Sequence, residues 1–361
     1  MKLGIFCNFS HRHVGGSEVV IKNISERLVR NYDYEVNVYS FSVSSSFQDN
    51  GVNYFSCKKG IGILSQVSQN DHILIYSDSF WEFDTLVRNV EKVDCGVSCA
   101  LVGAYHMQSH PEIFDLLKDN IDRFNLITHS PITLDHKWCI DNDLPVEVVP
   151  NGVTLAEFRE NTINFREKYN IKEKYIILNV SSFFYGKGQE ILPKVSKRLS
   201  KNIDDFVILS VSNSIKYPYD KVFFERCKRQ SKGQNIRFMR DLPREDVVAA
   251  FNASDIFLFT SKKEVAPLVI LESRAAMLPF VALDVGNIRG QHGGGLVTFE
   301  DVDNKGYAIA DEDVIRHLST MLEHCIYMDR SREYEVKKGQ EDIEKIDWKN
   351  IVPKYNEVFS R

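Results

Sequence analysis

Two glutamates, Glu264 and Glu272, stand in the segment "SKKEVAPLVILESRAAMLPFVALDVGNIRG" that runs from residue 261 to 290. Ionised carboxylates accept hydrogen bonds from hydroxyl groups, so the pair suits the hydroxyls of a sugar or a ribose. At helical pitch their spacing spans about two turns and sets both near one side. Pro267 fits a first helical turn, where its missing N–H costs nothing, and it leaves the amides of Leu268 and Val269 free to hold a phosphate. Near the start of the chain, Gly15 and Gly16 lie in the loop "NFSHRHVGGSE". They let backbone approach a ligand closely, and Ser17 suits the N-cap of the helix that follows, whose first amides would face a phosphate. The spacing is not G-x-G-x-x-G, which speaks against a dinucleotide oxidoreductase. Taken alone, the glutamate pair also describes a solvated helix face, and Gly-Gly-Ser a plain turn with its cap.

The elements that position these residues alternate. "KLGIFC" reads as a buried strand, and Val20, Ile24 and Leu28 recur at the spacing of one helix face. "YEVNVYSF", "DHILIYSD", "CGVSCALVGA" and "FNLITHS" follow as strands with helical stretches between several of them. A second series begins near residue 175: strand "YIILNVS", helix 189–200, strand "DFVILSVS", helix 243–252, strand "DIFLFTS", helix 268–277 and strand "PFVALDV". Strands alternating with helices imply parallel sheets covered on both faces. The turn in "VEVVPNGVTLAEF" marks the linker, and "DWKNIVPKYNEVF" reads as an amphipathic helix. The expected fold class is α/β, with two doubly wound Rossmann-like domains facing a central cleft. The first takes residues 1–165 and the second 170–342, with the helix at about 346–361 packing back on the first.

A chain of 361 residues exceeds what one hydrophobic core usually serves. The formal net charge of −5 gives no global pull toward nucleic acid or an anionic membrane. Residues 1–165 hold 13 basic and 21 acidic side chains and the rest 32 and 29, so an anionic ligand is expected on the second half. The seven Cys residues show no CxxC pair, which fits free thiols in a reducing compartment. The first residues do not read as a signal peptide, and no apolar run has the ~18 residues of a spanning helix. A cytoplasmic protein, at most peripheral to the inner face of a membrane, is expected.

The segment 261–290 resembles the C-terminal signature of the retaining GT-B-fold glycosyltransferases, the large group 1 family that includes sucrose synthases and bacterial mannosyltransferases. Glu264, Glu272, Ala275-Ala276, Pro279 and Asp284-Val285-Gly286 carry the likeness. "GGSE", "VPNGV", Lys187-Gly188 and "DWKNIVPKY" extend it in order along the chain. The resemblance implies that Lys187 pairs with a donor diphosphate, Glu272 holds ribose hydroxyls and Glu264 the donor sugar. It also implies that the amides of Leu268 and Val269 touch the diphosphate or sugar, and that Gly16 lets the first domain close on it. His106 stands where family members often carry a histidine near the reacting centre, with His110 and His129 as rivals for that place. His11 and His13 would reach the acceptor or phosphate.

The pattern is broken in places. Ser181 and Ser182 stand where the family has Gly and the diphosphate-binding Arg, Pro267 and Asn287 replace glycines, and Arg240 follows "IRFM" where Gly is expected. Arg240, Arg289, Lys262 or Lys263 would replace the lost cation. The implied activity is transfer of a hexosyl group from a nucleotide-diphosphate sugar to a hydroxyl of a glycan, protein or lipid-linked acceptor. It proceeds with retention at the anomeric carbon and belongs to bacterial glycan or polysaccharide assembly. The family requires no metal and no cofactor beyond the nucleotide sugar. Two other readings compete: a non-catalytic sugar-nucleotide-binding subunit, motivated by the missing Arg, and a nucleotide-sugar epimerase.

Overall fold

The computed structural model describes residues 1–8, 15–76, 83–103, 111–213, 215 and 217–361. Fourteen strands in the described residues form two sheets. The first contains β1 (Lys2–Phe6), β2 (Glu35–Ser40), β3 (Phe47–Asp49), β4 (Val52–Ser56), β5 (His72–Tyr76), β6 (Gly96–Ala100), β7 (Asn125–Thr128) and β8 (Val146–Val148), in the order β3-β4-β2-β1-β5-β6-β7-β8. All its pairs are parallel except β3–β4, an antiparallel hairpin. The hairpin turns at Asn50-Gly51, where both residues take positive φ (50° and 82°), as a tight two-residue turn requires. This turn signal is present in the sequence, although the two short strands it joins lack a clear apolar pattern.

The second sheet contains β9 (Tyr175–Val180), β10 (Phe206–Ser212), β11 (Ile236–Arg240), β12 (Ile256–Phe259), β13 (Phe280–Leu283) and β14 (Gly294–Val297). The order is β11-β10-β9-β12-β13-β14, all parallel. Numbered within its own unit this is 3-2-1-4-5-6, the doubly wound order whose direction reverses between β9 and β12. The central strands are apolar runs buried along most of their length, as expected where helices cover both faces. β11 and β14 are additions to the strands read from sequence; Gly294 and Gly295 weaken the apolar signature of β14.

Residues Met1–Gly152 and Ile346–Arg361 form one unit and Val153–Lys345 the other. Residues 153–165, assigned by the sequence reading to the first domain, therefore sit with the second. The Phe158 ring stands edge-on to Phe251 at 6.1 Å, and the Asn252 side chain donates to the Phe158 carbonyl at 2.8 Å. In the first unit, helix Trp348–Phe359 is capped by Asp347, which accepts from the Lys349 amide at 2.8 Å. It packs against helix Gly16–Tyr32, and the Trp348 indole lies so close to Gly152 that a Cβ there would come within 2.6 Å of the ring. Among the described residues no helix is long and apolar enough to cross a membrane.

Two helix boundaries differ from expectation. The N-cap of helix Gly16–Tyr32 is Gly15, in extended conformation, while Ser17 already lies inside the first turn. Helix Leu268–Ala275 stops short of residue 277, because Met277 takes φ 54°, which ends a helix.

Candidate functional site

Ligands of doubly wound sheets bind beyond the carboxyl ends of the strands, where the strand order reverses. In the second unit that place is the pair of loops following β9 and β12. Asn179, buried in β9, donates to the Leu258 carbonyl of β12 at 2.9 Å and fixes the two strands side by side. Beyond them the loops are laced together. The Thr260 hydroxyl donates to the Lys187 carbonyl at 2.9 Å, and the Lys262 amide to the Gly186 carbonyl at 2.8 Å. Gly188 takes φ 70°, and a Cβ on it would lie 2.1 Å from the Thr260 oxygen, so only glycine fits. The buried Gln189 amide ties the loop to itself, donating to Ser181 Oγ and to the Ser182 carbonyl, both at 2.8 Å.

This lacing brings Lys187 and Glu264 together: Nζ lies 2.5 Å from Oε1, with both side chains mostly buried. An ammonium has three N–H donors and a carboxylate several acceptor sites, so each partner keeps capacity for a ligand. The Glu264 loop is pinned in turn by Gly286. At φ 61° its α-carbon sits where a Cβ would come within 2.6 Å of the Val265 oxygen and 2.9 Å of the Glu264 oxygen. Asn287, one of the replaced glycines, donates its amide to the Val265 carbonyl at 2.8 Å with negative φ, so no glycine is needed there.

Glu264 and Glu272 are not related by helical pitch, because the helix begins only at Leu268. Pro267 is its N-cap rather than its first helical residue, and no side chain caps it, so the Leu268 and Val269 amides lead the first turn. Glu272 is buried (7% exposed) and has a cation of its own: Arg244 NH1 lies 2.7 Å from its Oε1. Arg244 also holds Glu157, through NH2 at 2.8 Å and Nε at 2.9 Å. Desolvation pulls the pKa of this guanidinium down, but the Glu272 and Glu157 carboxylates pull it further up, so it is raised overall. Sequence reasoning missed Arg244; its pairing spans separate elements and leaves no local spacing to detect.

Each of the four cations considered as substitutes for the lost Arg has a contact of its own. Lys262 is almost fully buried, 2.7 Å from Glu190 Oε1 and 3.1 Å above the Tyr185 ring centre. Arg289 pairs with Asp284, Lys263 donates to the Lys305 carbonyl at 3.3 Å, and exposed Arg240 lies over Phe224 at 5.1 Å. Around the same loops three polar atoms are buried without a hydrogen-bond partner among the described residues: Gln189 Oε1, Glu190 Oε2 and Ser261 Oγ. Unpaired buried polar atoms are costly, and their clustering at the strand ends fits a site completed by a polar ligand.

In the first unit, a Cβ on Gly16 would meet nothing within 4 Å, whereas one on Gly15 would meet the Glu18 carboxylate at 2.6 Å. His106, together with His11, His13 and His110, lies outside the described residues. His129 is a buried structural group. Its Nδ1 faces the Val149 carbonyl at 2.9 Å and so carries the proton, while Nε2 accepts from the Tyr76 hydroxyl at 3.0 Å. Desolvation lowers its pKa, keeping it neutral. Among the described residues no group of three His, Cys, Asp or Glu side chains is placed to hold a metal ion.

Residues 161–313, all within the second unit, match the family described as Glycosyl transferases group 1. The GPI3 subunit of the phosphatidylinositol N-acetylglucosaminyltransferase of Saccharomyces cerevisiae is 19% identical over 251 residues, 65% of this chain and 52% of that protein. An Escherichia coli UDP-Gal:alpha-D-GlcNAc-diphosphoundecaprenol alpha-1,3-galactosyltransferase is 27% identical over 214 residues, 53% of this chain and 52% of that protein. The chain thus spans about half the length of these two relatives. Among solved structures, Anabaena HepE in complex with UDP-glucose superposes with a TM-score of 0.76 at 15% identity, covering 100% of this chain and 99% of that one. Residues 161–313 thus match the group 1 glycosyltransferases, and the two α/β units have the architecture of the GT-B fold.

Proposed function

We propose that the chain is a retaining glycosyltransferase that moves a hexosyl group from a nucleotide-diphosphate sugar to an acceptor hydroxyl. The observation that carries this reading is the Lys187–Glu264 pair, set by glycine-dependent lacing at the strand-order reversal of the second unit. Lys187 keeps N–H donors for the diphosphate, Glu264 keeps acceptor sites for a sugar hydroxyl, and Glu272 takes the ribose hydroxyls. The leaving phosphate develops negative charge as the anomeric C–O bond breaks. Lys187 and the amides of Leu268 and Val269 stabilise it there. The acceptor oxygen bonds to the anomeric carbon on the face the phosphate leaves, and the departing phosphate oxygen takes the acceptor proton. Charge compensation by protein groups makes the step metal-independent. The group 1 domain supports the reaction class, and the words UDP-Gal and UDP-glucose in the names of its relatives favour a uridine donor. A glycan or lipid-linked acceptor in bacterial glycan assembly, on the cytoplasmic side, is the corresponding context.

A second reading, a sugar-nucleotide-binding subunit without catalysis, draws on Ser181 and Ser182 at the Gly-Arg positions and on the engagement of the four other cations. Thermal-shift and hydrolysis assays against UDP-, GDP-, ADP- and dTDP-sugars, with Lys187→Ala as control, separate the two. A shift with one nucleotide class and slow sugar release, both lost in the variant, supports the transferase. Binding without release supports the subunit, and no shift with any donor overturns both.

A further inference from the structure

We infer that Arg244 is a positioning residue for the ribose of the donor, acting through Glu272. This rests on the reading that Glu272 receives the ribose hydroxyls. Glu272 is buried, and a buried carboxylate is costly to keep ionised unless a cation compensates it. Arg244 is that cation, at 2.7 Å. It binds through Oε1, so Oε2 stays available to accept from vicinal hydroxyls.

The guanidinium is itself fixed from behind. Its other edge is held by Glu157, and its plane lies over the Phe158 ring at 5.7 Å. Glu157 and Phe158 sit on the short helix Leu155–Arg159, and Arg244 opens helix Arg244–Ala253; the two helices are joined by the Phe158–Phe251 ring contact. A planar fork held on both edges has a single orientation, which a lysine would not reproduce. Arg244 therefore does two things: it pairs with the buried Glu272 carboxylate and it fixes which of its oxygens the ribose meets. The consequence is selectivity for ribonucleotides, because only a ribose presents the two hydroxyls that the Glu272 carboxylate accepts from.

The test compares the affinity of the full chain for UDP, GDP and ADP with that for their 2′,3′-dideoxy counterparts, by calorimetry, in wild type, Arg244→Gln, Arg244→Lys and Glu272→Gln. Arg244→Gln keeps a hydrogen-bond donor but not the charge; its thermal unfolding is measured alongside. We expect it to weaken the bound ribonucleotide about tenfold while leaving the dideoxy analogue unchanged. In turnover it raises donor KM with little change in kcat. Arg244→Lys restores only part of the loss. Equal loss of both nucleotides, or loss of neither, overturns the role of Arg244. Glu272→Gln separates this from the broader reading. If it abolishes the ribose preference and Arg244→Gln does not, only the role of Arg244 falls. If Glu272→Gln keeps the preference, the ribose assignment falls with it.

Discussion

The carboxyl ends of the strands differ in kind between the two units. In the second they are crowded with ion pairs: Lys187–Glu264, Lys262–Glu190 and Arg244–Glu272. In the first, the described groups at the same edge are desolvated and shifted toward their neutral forms. His129 is neutral between Tyr76 and Val149, and burial pushes the Asp135 carboxyl up to about 6 against the amide bonds, one of them from Gly103, that lower it. The charge count along the chain pointed to the same half for an anionic ligand, since the acid excess lies in residues 1–165. Net charge reports the solvated surface, whereas ligand chemistry is set by a few partly buried groups, and in the second unit those stand in ion pairs.

The largest expected effect breaks the charged edge. Lys187→Ala should lower kcat on the preferred donor by about 100- to 1000-fold, the range for removing one group that stabilises a leaving anion. His129→Gln, at the neutral edge, should leave kcat within about threefold, so comparable losses from both variants would erase the distinction drawn here.

Next comes the lacing that builds the charged edge. Gly188→Ala forces a Cβ against the Thr260 oxygen at a positive φ and should cost about 2–3 kcal/mol, read as a lower Tm together with weaker donor binding. An unchanged Tm would mean that the two loops are not held together as described.

The neutral edge and the core beneath it are tested by pH. Burial lowers His72 from 6.5 to about 4. The unfolded chain therefore binds the extra proton between these values, and stability falls as pH drops from about 6.5 to 4, by about 3 kcal/mol at most. Asp135 acts in the opposite sense. Raised to about 6, it binds a proton in the fold that the unfolded chain has released, so its contribution falls as pH rises from about 4 to 6. The two offset each other in the first unit. Asp135→Asn should expose the histidine alone and steepen the loss of stability below pH 6; an unchanged slope in denaturant titrations would contradict it. The smallest effect expected is none: EDTA should leave turnover unaltered if protein groups alone compensate the diphosphate.

Much of this was legible in sequence. The alternation of strands and helices is strong because parallel strands buried on both faces read as continuous apolar runs; motif register singled out Lys187, Glu264 and Glu272, of which the structure sets Lys187 beside Glu264. The hairpin of β3 and β4 escaped because its strands are short and partly polar, although Asn50-Gly51 announced the turn. The Ser17 side chain suits a cap, yet Gly15 adopts the extended cap conformation without any side chain. The pairing of Glu272 with Arg244, and of Lys262 with Glu190, arises from packing between elements far apart along the chain. No local period records such a pairing.

The seating of Trp348 on Gly152 has a consequence for how the protein is made. Helix Trp348–Phe359 belongs to the first unit but is translated after all of Val153–Lys345. During synthesis the apolar stripe of helix Gly16–Tyr32 (Val20, Ile21, Ile24 and Leu28) must wait for its last partner while an entire second unit leaves the ribosome. The unit that the other interrupts along the chain is thus completed only after it, and depends longer on whatever shields exposed apolar surface in the cell.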